Sequence, residues 1–136
     1  MRVNFLEEET LPDTGFNIAL DEVNIVGEEY YKRECNLFLD GILYSRARNL
    51  GFGIELVREP SNPHDELAIM VFGYWTGKSI LRRTSIKRAH IGYIPRKLAY
   101  RIAKETDGVA PIAAALSAIE TSPVDPINII INIYYG

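Results

Sequence analysis

Apolar residues recur along this chain with the two-residue period of β-strands, separated by short runs rich in Gly, Pro and Asn. In residues 127–133 every second position is Ile, which is typical of a half-buried strand. Residues 67–72 form a compact apolar run that ends at Gly73 and predicts a strand buried on both faces. Residues 54–58 predict its neighbour.

One segment, residues 111–120, is compatible with a helix or a strand. Its three consecutive alanines favour a helix, whereas flanking prolines bound an apolar run of strand length. We predict a strand that pairs with the C-terminal strand through a turn at residues 122–126, because a terminal strand needs a neighbour.

Two segments repeat apolar residues at helical spacing. The first predicted helix starts at Pro95, an acceptable first helical residue, and stops at Asp107-Gly108. The second spans residues 36–49, although Gly41 inside it costs about 1 kcal/mol relative to Ala. The residues expected to face inward are Leu98, Ala99, Ile102 and Ala103 in the first helix and Leu37, Phe38, Ile42 and Leu43 in the second.

These elements define a mainly β chain with two helices, an α+β class. Residues 16–20 and 23–27 add one or two strands near the start, and about six short strands predict a small, strongly curved sheet or partly open β-barrel. A single domain at residues 23–136 suits a chain of 136 residues with 47% hydrophobic content. Residues 1–22 are expected to be an acidic N-terminal extension or the first strand.

Composition argues against several classes of protein. The longest apolar runs are far shorter than the ~20 residues that cross a bilayer, and the start of the chain lacks the basic and apolar regions of an export signal. The single cysteine, Cys35, excludes an internal disulfide and a cysteine-based zinc site. We therefore expect no membrane association, a cytoplasmic location, and a Cys35 that packs as a small apolar residue.

Charge is segregated along the chain. Residues 67–104 carry nine Lys and Arg residues and no Asp or Glu, so a net charge of −3 leaves −12 for the remainder. Four of the nine are expected on the outer face of the helix after Pro95: Arg96, Lys97, Arg101 and Lys104. Such a local field attracts phosphate even on an acidic chain, while the alternative is a solvated basic face that only balances an acidic one.

The first candidate site is the loop between the strands at residues 54–58 and 67–72. Two prolines, Pro60 and Pro63, stiffen this loop, which carries Asn62, His64 and Asp65. These side chains either bond to their own backbone, as Asn and Asp commonly do, or form a polar rim. In the second case Asp65 repels phosphate but accepts a hydroxyl, which suits the end of a strand of nucleic acid.

The second candidate segment leads through Tyr93 and Pro95 into the basic helix. Tyr93 can stack on a base or donate to a phosphate, and the amides at a helix start carry partial positive charge; the alternative is a core aromatic. Tyr30 and Tyr31 are further candidates, of which at most one faces a ligand if both lie in a strand. Stacking on an aromatic side chain contributes ~1–3 kcal/mol per base.

Catalysis finds little support in the sequence. The only histidines are His64 and His90, which excludes a multi-histidine metal cage, and the chain has neither a Glu-x-Lys nuclease pair nor a Gly-x-x-x-x-Gly-Lys phosphate loop. Residues 76–89 predict an extended basic hairpin or loop with its tip at Lys78-Ser79. We therefore expect no cofactor, no metal and no enzymatic activity.

Three blocks of the sequence resemble the HIRAN domain family in order, spacing and residue type. They are Val26-Gly27-Glu28-Glu29-Tyr30-Tyr31, Leu56-Val57-Arg58-Glu59-Pro60-Ser61-Asn62-Pro63-His64-Asp65 with Ala68-Ile69, and Ile91-Gly92-Tyr93-Ile94-Pro95-Arg96. The resemblance implies an OB-like β-barrel with helices, which agrees with the pattern of strands. It also implies a module that binds single-stranded DNA and captures a 3′-hydroxyl end.

The same resemblance implies roles for individual residues. Tyr30 and His64 would flank the terminal base, Asp65 would accept the terminal hydroxyl, and Asn62, Tyr93 and Arg96 would hold the adjacent backbone. The chain departs from the family pattern at Glu29, where DNA-end binders have a basic residue, and at Leu67, where an asparagine is common. The basic segment between Trp75 and Ile91 also has no general counterpart in the family.

The leading hypothesis is a non-catalytic module for single-stranded DNA, acting at strand ends in DNA repair, replication or defence. Its predicted binding residues are Tyr30, Asn62, His64, Asp65, Tyr93, Arg96, Lys97 and Arg101. One alternative is a protein-interaction module of a repair or restriction system that docks through the acidic residues 7–34. The other is a metal-dependent nuclease.

Overall fold

Seven antiparallel strands and three α-helices make up the chain in this computed structural model, which describes residues 1–11, 15–78, 83–124 and 127–136. The strands are β1 (Arg2–Asn4), β2 (Asn17–Asn24), β3 (Phe52–Arg58), β4 (Ile69–Lys78), β5 (Thr84–Tyr93), β6 (Ile112–Glu120) and β7 (Asn128–Tyr135). The helices are α1 (Glu7–Thr10), α2 (Lys32–Ala47) and α3 (Arg96–Thr106), with a 3₁₀ turn at Glu28–Tyr30. The predicted α+β class is confirmed.

The strands form one curved sheet in the order β2-β7-β6-β3-β4-β5, and β1 pairs with β6. The chain just after β2 meets the end of β5, where Val26 and Tyr93 exchange two backbone N–H···O bonds of 2.8 Å. Near the middle, β3 and β6 pair only at Ile54 and Ala114. The sheet therefore bends toward closure without becoming a continuous barrel, as the predicted partly open barrel requires.

The C-terminal hairpin confirms the choice of strand over helix for residues 111–120. β6 and β7 pair from Ile112–Tyr135 to Glu120–Asn128, and the alternate isoleucines of β7 are buried. The expected half-burial of this strand is wrong, because Ile130 and Tyr134 on its other face are buried as well. The small alanines of β6 are buried too, which lets neighbouring layers approach closely. Of the predicted turn at residues 122–126, residues 125 and 126 lie outside the described residues.

The long hairpin of β4 and β5 differs from the prediction at Gly73, which does not end the strand. β4 continues to Lys78, and a Cβ atom on Gly73 would lie 2.5 Å from the ring of Phe38 in α2, so this glycine allows the helix to pack on the sheet. The expectation of burial on both faces is also wrong, because Ile69 and Val71 are fully buried whereas Phe72 is half-buried. The hairpin at residues 76–89 is confirmed, but Lys78 lies in β4 and pairs with Thr84, so it is not at the tip predicted for Lys78-Ser79; residues 79–82 lie outside the described residues.

Helix α2 begins at Lys32, four residues before the predicted start. Its buried stripe is Cys35, Phe38, Gly41, Ile42 and Ser45. The predicted inward positions Leu37 and Leu43 are wrong; they are 45% and 52% exposed because they flank that stripe. Gly41 has a packing reason, since a Cβ atom there would lie 2.3 Å from the indole of Trp75.

Helix α3 follows the prediction closely. It starts at Arg96, one residue after Pro95, and ends at Thr106 before Gly108, whose φ is +73°. Ala99, Ile102 and Ala103 are buried, so the basic residues point outward.

The N-terminal residues are part of the sheet. β1 pairs with β6, α1 is too short to show a sequence period, and β2 is one strand with two register shifts in place of two separate strands. β2 runs across position 22, the boundary expected between the extension and the domain.

Candidate nucleic-acid interface

The loop between β3 and β4 closes on itself through backbone hydrogen bonds. Glu59 N donates to Ala68 O at 3.0 Å, Asn62 N donates to Glu59 O at 3.0 Å, and Ala68 N donates to Asp65 O at 3.1 Å. Together with the fixed φ of its two prolines, these bonds give the loop one defined shape. It therefore presents its side chains from a rigid support.

Asn62 is a turn residue whose side chain is used inside the loop. Its Oδ1 atom accepts from the backbone amides of His64 at 2.9 Å and Asp65 at 3.0 Å. Its Nδ2 atom donates to the carboxylate of Glu59. Of the two roles considered for Asn62, the structure shows the hydrogen bonds to the loop backbone, and these bonds orient His64 and Asp65.

Asp65 and Arg96 face each other across a gap. Asp65 Oδ1 accepts from the Leu67 amide at 3.0 Å, while Oδ2 lies 3.9 Å from Arg96 Nε. That separation is too long for a hydrogen bond. The Asp65 side chain is 20% exposed and that of Arg96 is 78% exposed, so both retain the capacity to bind a third group.

Glu59 joins the loop to the end of β5. The Tyr93 hydroxyl donates to the Glu59 carboxylate at 3.0 and 3.3 Å, and Asn62 donates to the same carboxylate. Burial, followed by the bond to Glu59, raises the pKa of Tyr93 above its usual range. The proton of this hydroxyl is therefore engaged within the protein, and the ring is the part of Tyr93 that remains for a ligand.

Two adjacent depressions bring five of the predicted residues together, and we call these residues the rim site: Asn62, His64, Asp65, Tyr93 and Arg96. The larger depression, about 560 Å³, is lined by residues 60–67 with Arg96 and Tyr100. The smaller, about 280 Å³, adds Val26, Ala68, Tyr93 and Ile94. Asn62, His64, Asp65 and Arg96 line both, so the two depressions form one surface.

Three predicted residues lie outside these depressions. Tyr30 is 82% exposed on the 3₁₀ turn that follows Gly27, whose φ is +87°. The argument that Tyr30 and Tyr31 point to opposite faces of a strand therefore does not apply to them. Lys97 and Arg101 are exposed on α3, where Arg101 donates to Glu105 at 2.6 Å.

Sequence reasoning missed two side chains around the rim site and left a choice between two others. Glu59 carries no local signal beyond an acidic residue before a proline, because its role depends on Tyr93, 34 residues away. Tyr100 lies one helical turn after Arg96, a spacing that could have revealed it. Of the candidates Tyr30 and Tyr31, it is Tyr31 that approaches Tyr93; their ring centroids lie 6.4 Å apart, and His90 contacts both rings.

The start of α3 adds backbone donors beside Arg96. The Pro95 cap makes no side-chain hydrogen bond to the first turn within the described residues. Helix amides in this position carry partial positive charge and can receive an anion. The rim site thus combines a carboxylate, an aromatic ring, a guanidinium group and a helix start.

Across residues 1–11, 15–78, 83–124 and 127–136, no group of three or more His, Cys, Asp or Glu residues is placed to hold a metal ion. Helices of the length and apolar character needed to span a membrane are also lacking in these ranges.

An open antiparallel sheet with a rigid polar loop opposite a basic helix start defines a small binding module. The profile of the HIRAN domain matches residues 21–120, a range that contains the whole rim site. The chain therefore belongs to the HIRAN domain family, a family of nucleic-acid-binding modules. Searches of curated proteins and of solved structures found no match.

Proposed function

We propose that this protein is a non-catalytic module that binds the 3′-hydroxyl end of single-stranded DNA at the rim site, in DNA repair, replication or defence. The observation that carries the proposal is the 3.9 Å gap between Asp65 Oδ2 and Arg96 Nε. A carboxylate accepts a hydroxyl but repels a phosphate, whereas a guanidinium group binds phosphate oxygens. A terminal nucleotide offers both groups within a few ångströms of each other.

The surrounding residues suit a terminal nucleotide for separate reasons. One oxygen of Asp65 is held by the Leu67 amide, which fixes the direction of the free oxygen. The ring of Tyr93 and the exposed His64 offer flat surfaces for a base. The start of α3 lies beside Arg96 and supplies amides for the phosphate that follows.

The test is fluorescence anisotropy with a 5′-labelled single strand that ends in a 3′-hydroxyl or a 3′-phosphate. We expect the hydroxyl end to bind about tenfold more tightly, because a 3′-phosphate brings a negative charge against Asp65. Asp65→Asn is expected to reduce this preference while retaining binding. Equal affinity for the two ends would reject end capture, and absence of binding at low salt would reject the module itself.

The non-catalytic part of the proposal has its own measurement. We expect a labelled strand to remain intact after incubation with the protein and Mg²⁺ or Mn²⁺. Cleavage that disappears in Asp65→Ala would replace the proposal with a metal-dependent nuclease.

A further inference from the structure

The face of β5 that begins at Tyr93 carries a row of partly exposed side chains leading away from the rim site. A register shift opposite Val71 and Phe72 places His90 across from Phe72, and Arg88, two residues earlier in the sequence, lies across from Tyr74. We call Tyr93, His90, Arg88 and Ile86 the β5 row. Ile86, toward the hairpin tip, is 68% exposed, so the row reaches open solvent at its far end.

Contacts join Tyr93, His90 and Arg88 through Phe72 of β4. The rings of Tyr93 and His90 lie 4.9 Å apart, and those of His90 and Phe72 lie 5.0 Å apart at 23°. The guanidinium carbon of Arg88 lies 3.8 Å from the centre of the Phe72 ring. His90 is held in place because its Nε2 atom bonds to Gly92 O at 2.9 Å.

Arg88 is oriented in a particular way. One face of its guanidinium plane lies on Phe72, and its Nη2 atom donates to Glu55 on β3. The Arg88 side chain is still 47% exposed, which leaves the other face of the plane open to a ligand. Because the carboxylate of Glu55 already neutralises part of the charge of Arg88, this guanidinium group is better suited to stacking on a base than to binding a phosphate.

We propose that the β5 row carries the nucleotides of the bound strand that lie inside its 3′ end, with Arg88 as a stacking platform; this inference rests on the function proposed for the rim site. Single-stranded DNA is the chosen occupant for two reasons. The row shares Tyr93 with the rim site, and residues 67–104 have no acidic residue. Arg88 lies five residues before Tyr93 along β5, a distance of about 17 Å that roughly five stacked nucleotides cover.

The experiment compares the affinities of 3′-hydroxyl strands of about 4 and about 10 nucleotides, lengths within the range of OB-type barrels. The variant is Arg88→Lys, which keeps the charge and loses the plane. The matched control is Arg48→Lys, because Arg48 stacks on Tyr44 at the same 3.8 Å but belongs to the end of α2. Circular dichroism verifies that both variants fold.

For the wild type we expect the longer strand to bind about tenfold more tightly than the shorter one. Arg88→Lys should remove most of this gain without changing the affinity for the shorter strand, and Arg48→Lys should change neither. End preference without length dependence, or a gain that survives Arg88→Lys, would overturn the role of the row while leaving the rim site intact. Failure of every strand to bind the wild type would overturn both proposals.

Discussion

Glu59 is the residue on which the shape of the rim site depends most directly. It accepts hydrogen bonds from Asn62 in the loop and from Tyr93 at the end of β5. It therefore links two segments that are far apart in sequence. Hydrogen bonds to a charged acceptor contribute about 1.5–3 kcal/mol each, and a donor left unpaired adds a further cost.

Replacing Glu59 with Ala should lower the free energy of unfolding by about 2 kcal/mol, because both donors lose their acceptor. The affinity for a 3′-hydroxyl strand should fall as well, since the loop and Tyr93 are no longer held together. Urea unfolding and anisotropy measure the two effects. Glu59→Gln keeps an acceptor for Tyr93 and should recover part of both.

The matched control is Glu66→Ala, which removes an exposed carboxylate from the same loop. Its stability should stay within about 0.5 kcal/mol of the wild type. If the two variants unfold at the same urea concentration, Glu59 does not have the linking role described above.

Glu28 gives the fold a dependence on pH. Its Oε1 atom is buried and has no hydrogen-bond partner among the described residues. Burial, with a smaller contribution from the charge of Glu29, raises the pKa of Glu28 from 4.5 to about 7. At pH values between 4.5 and about 7, Glu28 is more often protonated in the folded chain than in the unfolded chain. The free energy of unfolding therefore falls as the pH rises through this range, and Glu28 causes no further change above a pH of about 7.

Glu28→Gln should therefore be as stable as the wild type near pH 4.5 and more stable at pH 8. The expected gain at pH 8 is about 1 kcal/mol, which allows for solvent screening of a partly exposed group. Urea unfolding of both proteins across this range gives the difference. Parallel stability curves would show that Glu28 has an ordinary pKa.

Among the elements, α2 is positioned by close contacts with β4. Gly41 lies against Trp75, and Phe38 lies against Gly73, so the helix and strand approach each other where side chains are missing. Such a contact cannot absorb an added methyl group without a shift of an aromatic ring or of the helix.

Gly41→Ala is expected to destabilise the protein by about 1–3 kcal/mol, although Ala is the better helix former by about 1 kcal/mol. The control is Asp40→Ala, an exposed neighbour in the same helix, which should be neutral or slightly stabilising. Thermal or urea unfolding of the two variants separates packing from helix propensity. A stabilised Gly41→Ala variant would mean that Trp75 has room to move.

Elements with a clear period were the ones that could be predicted from sequence. β7 and α3 show their periods over a complete element; the buried residues of α3 follow its period, whereas β7 also buries Ile130 and Tyr134 between its alternate isoleucines. Leu37 and Leu43 misled the assignment of α2 because apolar residues can lie beside a buried stripe. The end of β4 was wrongly placed at Gly73, because the sequence does not distinguish a glycine that ends a strand from one that makes room for the ring of Phe38.

The rim site was predictable to the extent that its residues are adjacent in sequence or follow one strand. Asn62, His64 and Asp65 share a loop, and Tyr93 and Arg96 share the passage from β5 to α3. Their convergence required the register of β4 against β5 up to Tyr93, including its shift at Val71 and Phe72, and the predicted hairpin at residues 76–89 does not specify that register. Tyr30 and Tyr31 depended on a 3₁₀ turn that has no strong sequence signal, and Glu59 depended on a partner across the sheet.

The ion pairs of the whole molecule determine which arginines remain available to a polyanion. Arginines inside and outside residues 67–104 pair closely with carboxylates: Arg2 contacts Glu22 and Glu120, Arg46 contacts Glu9, Arg88 contacts Glu55 and Arg101 contacts Glu105. Arg96 instead keeps most of its side chain exposed beside the rim site. An acidic protein can therefore attract a polyanion locally, and the attraction should weaken as salt screens it.

Salt dependence tests this arrangement quantitatively, since each phosphate neutralised by the protein contributes about −0.7 to the slope of log affinity against log salt for a single strand. Arg96→Ala should make the slope shallower by about this amount and weaken binding to all sequences alike. Arg48→Ala removes the same charge at the end of α2, away from the rim site, and should leave the slope unchanged. Equal slopes for the two variants would mean that net charge, rather than a phosphate contact at Arg96, governs the attraction.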